Sequence, residues 1–301
     1  MTEYKLSSTD GYSQLNCYEW APAEKPKAIL QIAHGMAEHM ARYEGLALYL
    51  NQFGILVAGN DHIGHGKTAD PKDWGFFGMQ NGWKHIVDDV ERVRKALDEK
   101  YPETPHYLLG HSMGSFVCRT YLSKYGQALD GAVIMGTAGT NKSVQAGAAL
   151  VEQLRKVKGH RFQSDLVTKM AFGSYLKRIP KARTPYDWLT RDDAVVNKYM
   201  EDPACGFTFT LAGYADLFRF LDYINTDLCY ATIPTDRPYL VVAGAEDPVG
   251  NYGEGPAEVA GKLAEKGCPV GFKLYPDMRH EILNEFGKEV VYEDIKKFIL
   301  G

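Results

Sequence analysis

The pentapeptide Gly110-His111-Ser112-Met113-Gly114 sets a serine between two glycines in the pattern G-x-S-x-G. A serine hydroxyl alone is a poor nucleophile. It becomes an effective one when a histidine takes its proton, a carboxylate orients that histidine, and amide N–H groups receive the charge that develops on an attacked carbonyl. The pattern suits this chemistry where it joins a strand to a helix. The serine then stands in a strained turn, its neighbours two positions away must be small, and the N–H that follows it points at the oxyanion. Here the apolar run His106–Gly110 reads as a strand and Gly114–Tyr125 as a helix. Ser112 is therefore the candidate nucleophile, and the Met113 N–H is one oxyanion donor.

In such elbows the order along the chain is serine, acid, histidine. Of nine histidines, only His160 and His280 follow Ser112. His160 lies in the basic stretch Arg155–Arg161 and reads as a solvated surface residue. His280 falls between the last strand-like run and the final helix, and is the candidate base. The acid should lie between them at a strand end. Glu246 and Asp247 both follow the run Val241–Ala243, and Asp247 fits better because Pro248-Val249-Gly250 would hold it at the strand tip. The second oxyanion donor should come from the loop after an earlier strand. His34-Gly35-Met36 occupies that place, and the Met36 N–H is the expected donor. His34 reads as a loop-packing residue. Asp61–Gly66, DHIGHG, reads as a loop scaffold in preference to a metal site, so no metal ligand is assigned.

These residues need a frame. Short apolar runs at Lys27–Ala33, Gly54–Ala58, His106–Gly110, Gly131–Met135, Pro238–Ala243 and Val270–Tyr275 alternate with helical patterns. One such helix shows Ile86, Val90, Val93 and Leu97 on a single face. Near-continuous apolar strands separated by helices predict a parallel sheet covered on both faces, an α/β fold. Between Thr140 and Thr235 only helical patterns occur. An insertion there would sit over the carboxyl ends of the strands, where such sheets bind ligands. The expected organisation is a core of residues 1–139 and 236–301 with a helical cap of residues 140–235. Phe207, Phe209, Leu211, Tyr214, Leu217, Phe218 and Phe220 give that cap apolar bulk suited to an acyl chain, with Phe207 and Phe209 the foremost candidates for substrate contact.

Composition narrows the alternatives. The chain has 301 residues, 45% hydrophobic and 24% charged, which is ordinary for a globular protein and excludes a disordered or fibrous one. A net charge of −4 gives no reason to expect nucleic acid. No run is apolar enough to span a bilayer, no secretory signal is visible, and five cysteines without a CxxC pair read as buried apolar residues in a reducing, cytoplasmic setting. Between Lys142 and Arg183 ten basic residues face two acidic ones. They read as a solvated helix face first, and as a transient contact with an anionic membrane surface second.

HGMAEH at 34–39, Arg42-Tyr43, DHIGHG at 61–66 and GHSMG at 110–114, with an acid before a late histidine, resemble the monoglyceride lipase and lysophospholipase branch of the α/β-hydrolases and the hydrolases grouped with serine aminopeptidases. Trp188-Leu-Thr-Arg-Asp192 resembles the cap of bacterial members. The resemblance implies an α/β-hydrolase fold, a mostly parallel central sheet with an inserted helical cap. It implies Glu38, Arg42 and His111 as contacts to a glyceride head group. Two positions depart from the pattern: Ala37 replaces a usual glycine, and Leu283 stands where animal glyceride lipases carry a histidine. The reading is a serine hydrolase that cleaves lipid-type esters, monoacylglycerol or lysophospholipid, through an acyl-enzyme without a cofactor. An aminopeptidase or thioesterase is the alternative within enzymes; Asp192, Asp193, Glu201 and Asp202 would be the acids available to hold an amine. A catalytically inactive binding protein is the alternative outside them, and the intact serine, acid and histidine stand against it.

Overall fold

The computed structural model describes residues 1–301, and it builds the core from the apolar runs. Eight strands form one sheet: β1 (Thr2–Ser7), β2 (Gln14–Trp20), β3 (Ala28–Ala33), β4 (Ile55–Asn60), β5 (His106–His111), β6 (Gly131–Met135), β7 (Tyr239–Gly244) and β8 (Val270–Tyr275). Their order is β1-β2-β4-β3-β5-β6-β7-β8. From β4 to β8 every neighbouring pair is parallel, while β2 runs antiparallel to both β1 and β4. Strands β3, β4 and β6 are buried along their whole length, as strands covered on both faces must be.

Helices cover the two faces. On one side α2 (Gly82–Lys100) and α3 (Met113–Tyr125), with α9 (Glu254–Glu265), bury Ile86, Val90, Val117, Tyr121 and Val259 in a core continuous with Ile29, Leu108 and Ile134 of the sheet. On the other, α1 (Glu44–Asn51) and α10 (Glu289–Leu300) pack Leu46, Leu50, Val291 and Ile295 against Leu30, Val57 and Val133. All five cysteines are free and buried. No helix is long and apolar enough to cross a membrane.

The first two strands are absent from the reading of the sequence. β1 is an edge strand that leaves only alternate residues half-covered, so it shows no continuous apolar run. β2 is buried but carries Asn16 and Glu19. Their polar groups are satisfied across the chain, by Asn16 Nδ2–H donating to Glu3 and by Lys100 and Tyr101 donating to Glu19.

Between β6 and β7 the chain forms five helices: α4 (Val144–Lys158), α5 (Asp165–Phe172), α6 (Asp193–Glu201), α7 (Leu211–Tyr223) and α8 (Asp227–Ala231). The segment's sole ladder contact is one bridge between Gln163 and Thr210. Side-chain caps start four of the helices. Ser164, Asp192, Thr210 and Thr226 each accept a backbone N–H in the first turn. The basic residues of 142–183 are exposed, apart from Arg155, which is half-buried beside Glu152.

Candidate active site

Strand β5 ends at His111 and α3 begins at Met113, so Ser112 alone makes the turn. Its φ of 55° and ψ of −121° are rare outside glycine, a conformation that costs on the order of 1–3 kcal/mol and needs its surroundings to hold it. Ser112 N–H donates to Met135 O at 3.0 Å, and Ser115 Oγ–H donates to Ser112 O at 2.5 Å. A Cβ on Gly114 would lie 1.9 Å from Ala33 O, so α3 can start this close to β3 only with glycine there.

Strand β7 ends at Gly244, and the loop after it is stitched to the loop after β8. Ala245 N–H donates to Tyr275 O and Glu246 N–H to Met278 O, both at 2.9 Å. The second loop crosses so close that a Cβ on Gly244 would meet Arg279 O at 2.1 Å. This crossing brings His280 Nδ1 to 2.9 Å from Asp247 Oδ2, with side chains 2% and 0% exposed. Asp247 Oδ1 accepts from Val249 N–H at 2.8 Å. Glu246 is exposed. With Nδ1 turned to the carboxylate, the histidine has Nε2 free for a proton from the cavity side. Trp188 packs its ring 5.1 Å from His280, and Glu281 N–H donates to Leu189 O at 2.7 Å. Ser112 and His280 line the same cavity. No hydrogen bond joins their side chains here, and such contacts commonly tighten only with substrate bound.

That cavity has a volume of about 580 Å³. Its floor carries Gly35, Met36, Ser112, Met113 and His280, and its walls are mostly apolar, with Val144, Leu150, Met170, Leu217 and Phe218 from the inserted helices. At the floor, Gly35 N–H donates to Glu38 Oε1 at 2.6 Å and Ala37 N–H to His65 Nε2 at 3.3 Å. The Met36 N–H between them has no acceptor in the protein. The Met113 N–H heads α3, where a helix has no internal partner for it. Two amides are thus available to an anionic oxygen. Ala37 holds φ at 51°, which explains why glycine is the usual residue there and why alanine, the smallest alternative, bears a modest strain.

The structure separates the expected substrate contacts. Glu38, His111 and Phe207 line the cavity. Phe209 does not: it is fully buried against His65, Phe77 and Tyr214. The turn that starts α7 explains this. Thr210 N–H and Oγ1–H both donate to Gly75 O, pulling Phe209 down onto the core. Arg42 also sits behind the wall. Its guanidinium donates to Glu38 Oε2 and to both oxygens of Glu281, each at 2.7 Å, so it braces two carboxylates that face the cavity. Tyr43 O–H donates to Glu38 Oε1 at 2.9 Å. Sequence reasoning missed Glu281 and Trp188 as site residues. Adjacency to His280 was the available signal for Glu281, and for Trp188 it was the phrase Trp188–Asp192, which resembles bacterial members without marking a site role.

His111 faces two acceptors. Nδ1 lies 3.3 Å from Glu38 Oε1 and 3.2 Å from the Tyr43 hydroxyl, and Nε2 lies 3.4 Å from His280 O. Protonation would let the ring donate from both nitrogens. Burial opposes that charge, but the hydrogen bond and charge of Glu38 outweigh it and hold the His111 pKa above the usual value. Glu38 is held well below the carboxylate range, since His111 and Arg42 overcome its own desolvation.

Beneath the oxyanion loop lie three buried histidines with opposite behaviour. His34 donates from Nδ1 to Gly35 O and accepts His62 N–H at Nε2; His62 donates from Nε2 to His34 O; His65 donates from Nδ1 to Ile63 O and accepts Ala37 N–H. Carbonyls only accept and amides only donate, so His34 and His65 are each fixed as one neutral tautomer. Asp61 completes the scaffold by accepting from Met40 N–H and Lys67 N–H, each at 2.8 Å. Burial pushes His62 down to about 4, His65 to about 3, and His34 well below its usual value. These three rings are expected to show neutral imidazole carbon shifts by NMR from pH 8 down to pH 5. Titration of His62 or His65 near pH 6.5 would contradict this arrangement. The stability consequence has a definite sign: the unfolded chain binds protons at these sites first, so they lower stability as pH falls from about 6.5 towards 4. Asp89 and Asp216, raised by burial to about 6, act the other way between about 6 and 3.8.

A family model described as "Serine aminopeptidase, S33" matches residues 24–287. The chain is similar to the monoacylglycerol lipase of Mycolicibacterium smegmatis, 27% identical over 287 residues that span 94% of this chain and 91% of that one. Human monoglyceride lipase is 36% identical over 112 residues, 37% of this chain and 35% of that one. Among solved structures, a highly thermostable carboxyl esterase from Bacillus coagulans in complex with glycerol superposes with a TM-score of 0.93 and 32% identity, covering 99% of this chain and 97% of that one.

Proposed function

The chain belongs to the family described as serine aminopeptidase, S33, and from that premise we propose that it hydrolyses carboxylic esters of lipid type, with a neutral polar head group, through an acyl-enzyme. Ser112 attacks the ester carbonyl. His280, its Nδ1 held by Asp247, accepts the serine proton at Nε2 and returns it to the leaving alcohol. The Met36 and Met113 amides receive the oxyanion. Water, activated by the same histidine, releases the acid. Residues 140–235 act as the cap that supplies the acyl-chain wall.

The observation that carries this reading is the coincidence of a strained serine, a histidine paired with a buried carboxylate, and a mostly apolar cavity of about 580 Å³ lined by both Ser112 and His280. The esterase and lipase relatives support it on the substrate side. The charge pattern at the cavity floor bears on the head group. Arg42 holds both Glu38 and Glu281, and Tyr43 and His111 also meet Glu38, so neither carboxylate stands free for a substrate ammonium. The four cap acids an aminopeptidase could use are engaged or turned away. Asp192 caps α6, Asp193 pairs with Arg183, Asp202 pairs with His39, and Glu201 is exposed.

The experiment is a panel of nitrophenyl esters from two to twelve carbons, with monoacylglycerols, a lysophospholipid and an amino-acid anilide. A medium or long single chain is the expected preference. Each buried CH₂ contributes up to about 0.8 kcal/mol, so four extra carbons should raise kcat/KM by roughly ten- to a hundredfold, less where burial is incomplete. A steady decline beyond acetate, or faster cleavage of the anilide, would defeat this substrate assignment.

A further inference from the structure

Arg119 is 1% exposed and lies on α3, two turns beyond Ser112. Its Nη1 donates to Ala138 O at 2.9 Å and to Thr137 Oγ1 at 3.4 Å. Its Nη2 donates to Ile224 O at 2.7 Å, Asn225 Oδ1 at 3.1 Å and the Tyr230 hydroxyl at 2.7 Å. None of these acceptors is a carboxylate. A buried cation without a counter-ion is costly unless several oxygens and a local dipole replace its water. Here Ile224 closes α7, so the guanidinium also sits at the negative end of that helix.

The acceptors fall into two groups, and they are the two crossings between core and cap. Thr137 and Ala138 follow β6, where the chain leaves the sheet. Ile224, Asn225 and Tyr230 lie where it heads back. Asn225 joins the two directly, with Nδ2–H donating to Gly139 O at 3.3 Å and to Leu221 O at 2.9 Å. Ala138 lines the cavity, and α7 sends Leu217, Phe218 and Leu221 to its wall. Arg119 itself does not line it. Only a planar fork of donors can serve both crossings at once, because a lysine ammonium is a single point of charge.

We propose that Arg119 is a positioning residue: it fixes both cap crossings to the nucleophile helix and so sets the register between the α7 wall and Ser112, which determines how firmly a long acyl chain is held. The inference rests on the cap and acyl-chain reading above. It makes the core–cap junction a specificity determinant remote from the reacting atoms.

The test is Arg119→Lys, measured as kcat and KM on nitrophenyl acetate and nitrophenyl octanoate, with Tm alongside. The acetate does not reach α7, so its kcat/KM is expected within about threefold of wild type, whereas octanoate should lose about tenfold or more, carried by KM. A residue with a merely structural role would lower Tm and scale both esters together, and that outcome, or an unchanged octanoate-to-acetate ratio, overturns the proposal. Should Arg119→Lys not fold, Asn225→Ala removes one acceptor and the direct tie between crossings. The same split in smaller degree is expected, and a proportional loss on both esters overturns it. Wild type separates the two levels: no octanoate preference there refutes the acyl-chain reading, while a wild-type preference that survives in the variants refutes Arg119 alone.

Discussion

Ser112→Ala is expected to lose ester hydrolysis by about 10⁴- to 10⁶-fold while the fold is kept, since groups that act as a unit fail together when the nucleophile is removed. The change deletes one oxygen. Alanine can hold the φ of 55° and ψ of −121° no worse than serine, and the turn's backbone bonds to Met135 and from Ser115 do not use the side chain. Circular dichroism and Tm should therefore match wild type, and an organophosphonate that labels wild type should leave the variant unlabelled. Turnover within tenfold of wild type, once contaminating esterase is excluded, would remove Ser112 from the mechanism.

Asp247→Asn is the second large effect, a loss of roughly 10⁴-fold in kcat. Geometry gives the reason. Asp247 Oδ1 accepts from Val249 N–H while Oδ2 faces His280 Nδ1. In asparagine the remaining carbonyl oxygen would keep the Val249 bond, which turns the amide NH₂ towards Nδ1. That donor demands an unprotonated Nδ1 and puts the proton on Nε2, the wrong tautomer for a base. Glu246→Gln, at an exposed position, should stay within tenfold of wild type. A reversal of the two variants would show that the histidine is oriented by the neighbouring carboxylate.

Much of this molecule was legible in its local patterns. The parallel strands β3 to β7 are apolar runs because both of their faces are covered, and a strand of that kind declares itself without knowledge of its neighbours; β8, at the sheet edge, is largely exposed. Gly110 to Gly114 declared the elbow for a similar reason: the turn leaves no room for larger residues, so the steric demand is written into five consecutive positions. The insertion showed as a long interval without strands. β1 and β2 escaped because one is half-solvated and the other pairs its buried polar groups with distant residues, Asn16 with Glu3 and Glu19 with Lys100 and Tyr101 at the end of α2.

What the sequence determined, then, was set by constraints that act over a few residues: periodicity, the small neighbours of Ser112, and the order of serine, acid and histidine. What only the tertiary structure decided depends on groups far apart in the chain. The sequence already favoured Asp247 over Glu246; its buried contact with His280 is set by the fold, where the loop after β8 crosses over Gly244. Phe209 was drawn away from the cavity by Gly75, more than a hundred positions upstream, while Phe207 kept its place in the wall. Arg42 found two acids, one in its own turn and one beside His280, and so became a brace. The pKa of His111 is raised only because Glu38 meets the buried ring from a different loop. Charge and hydrogen-bond state follow from the full set of neighbours at a point in space, and that set is assembled by folding, with no local pattern to announce it.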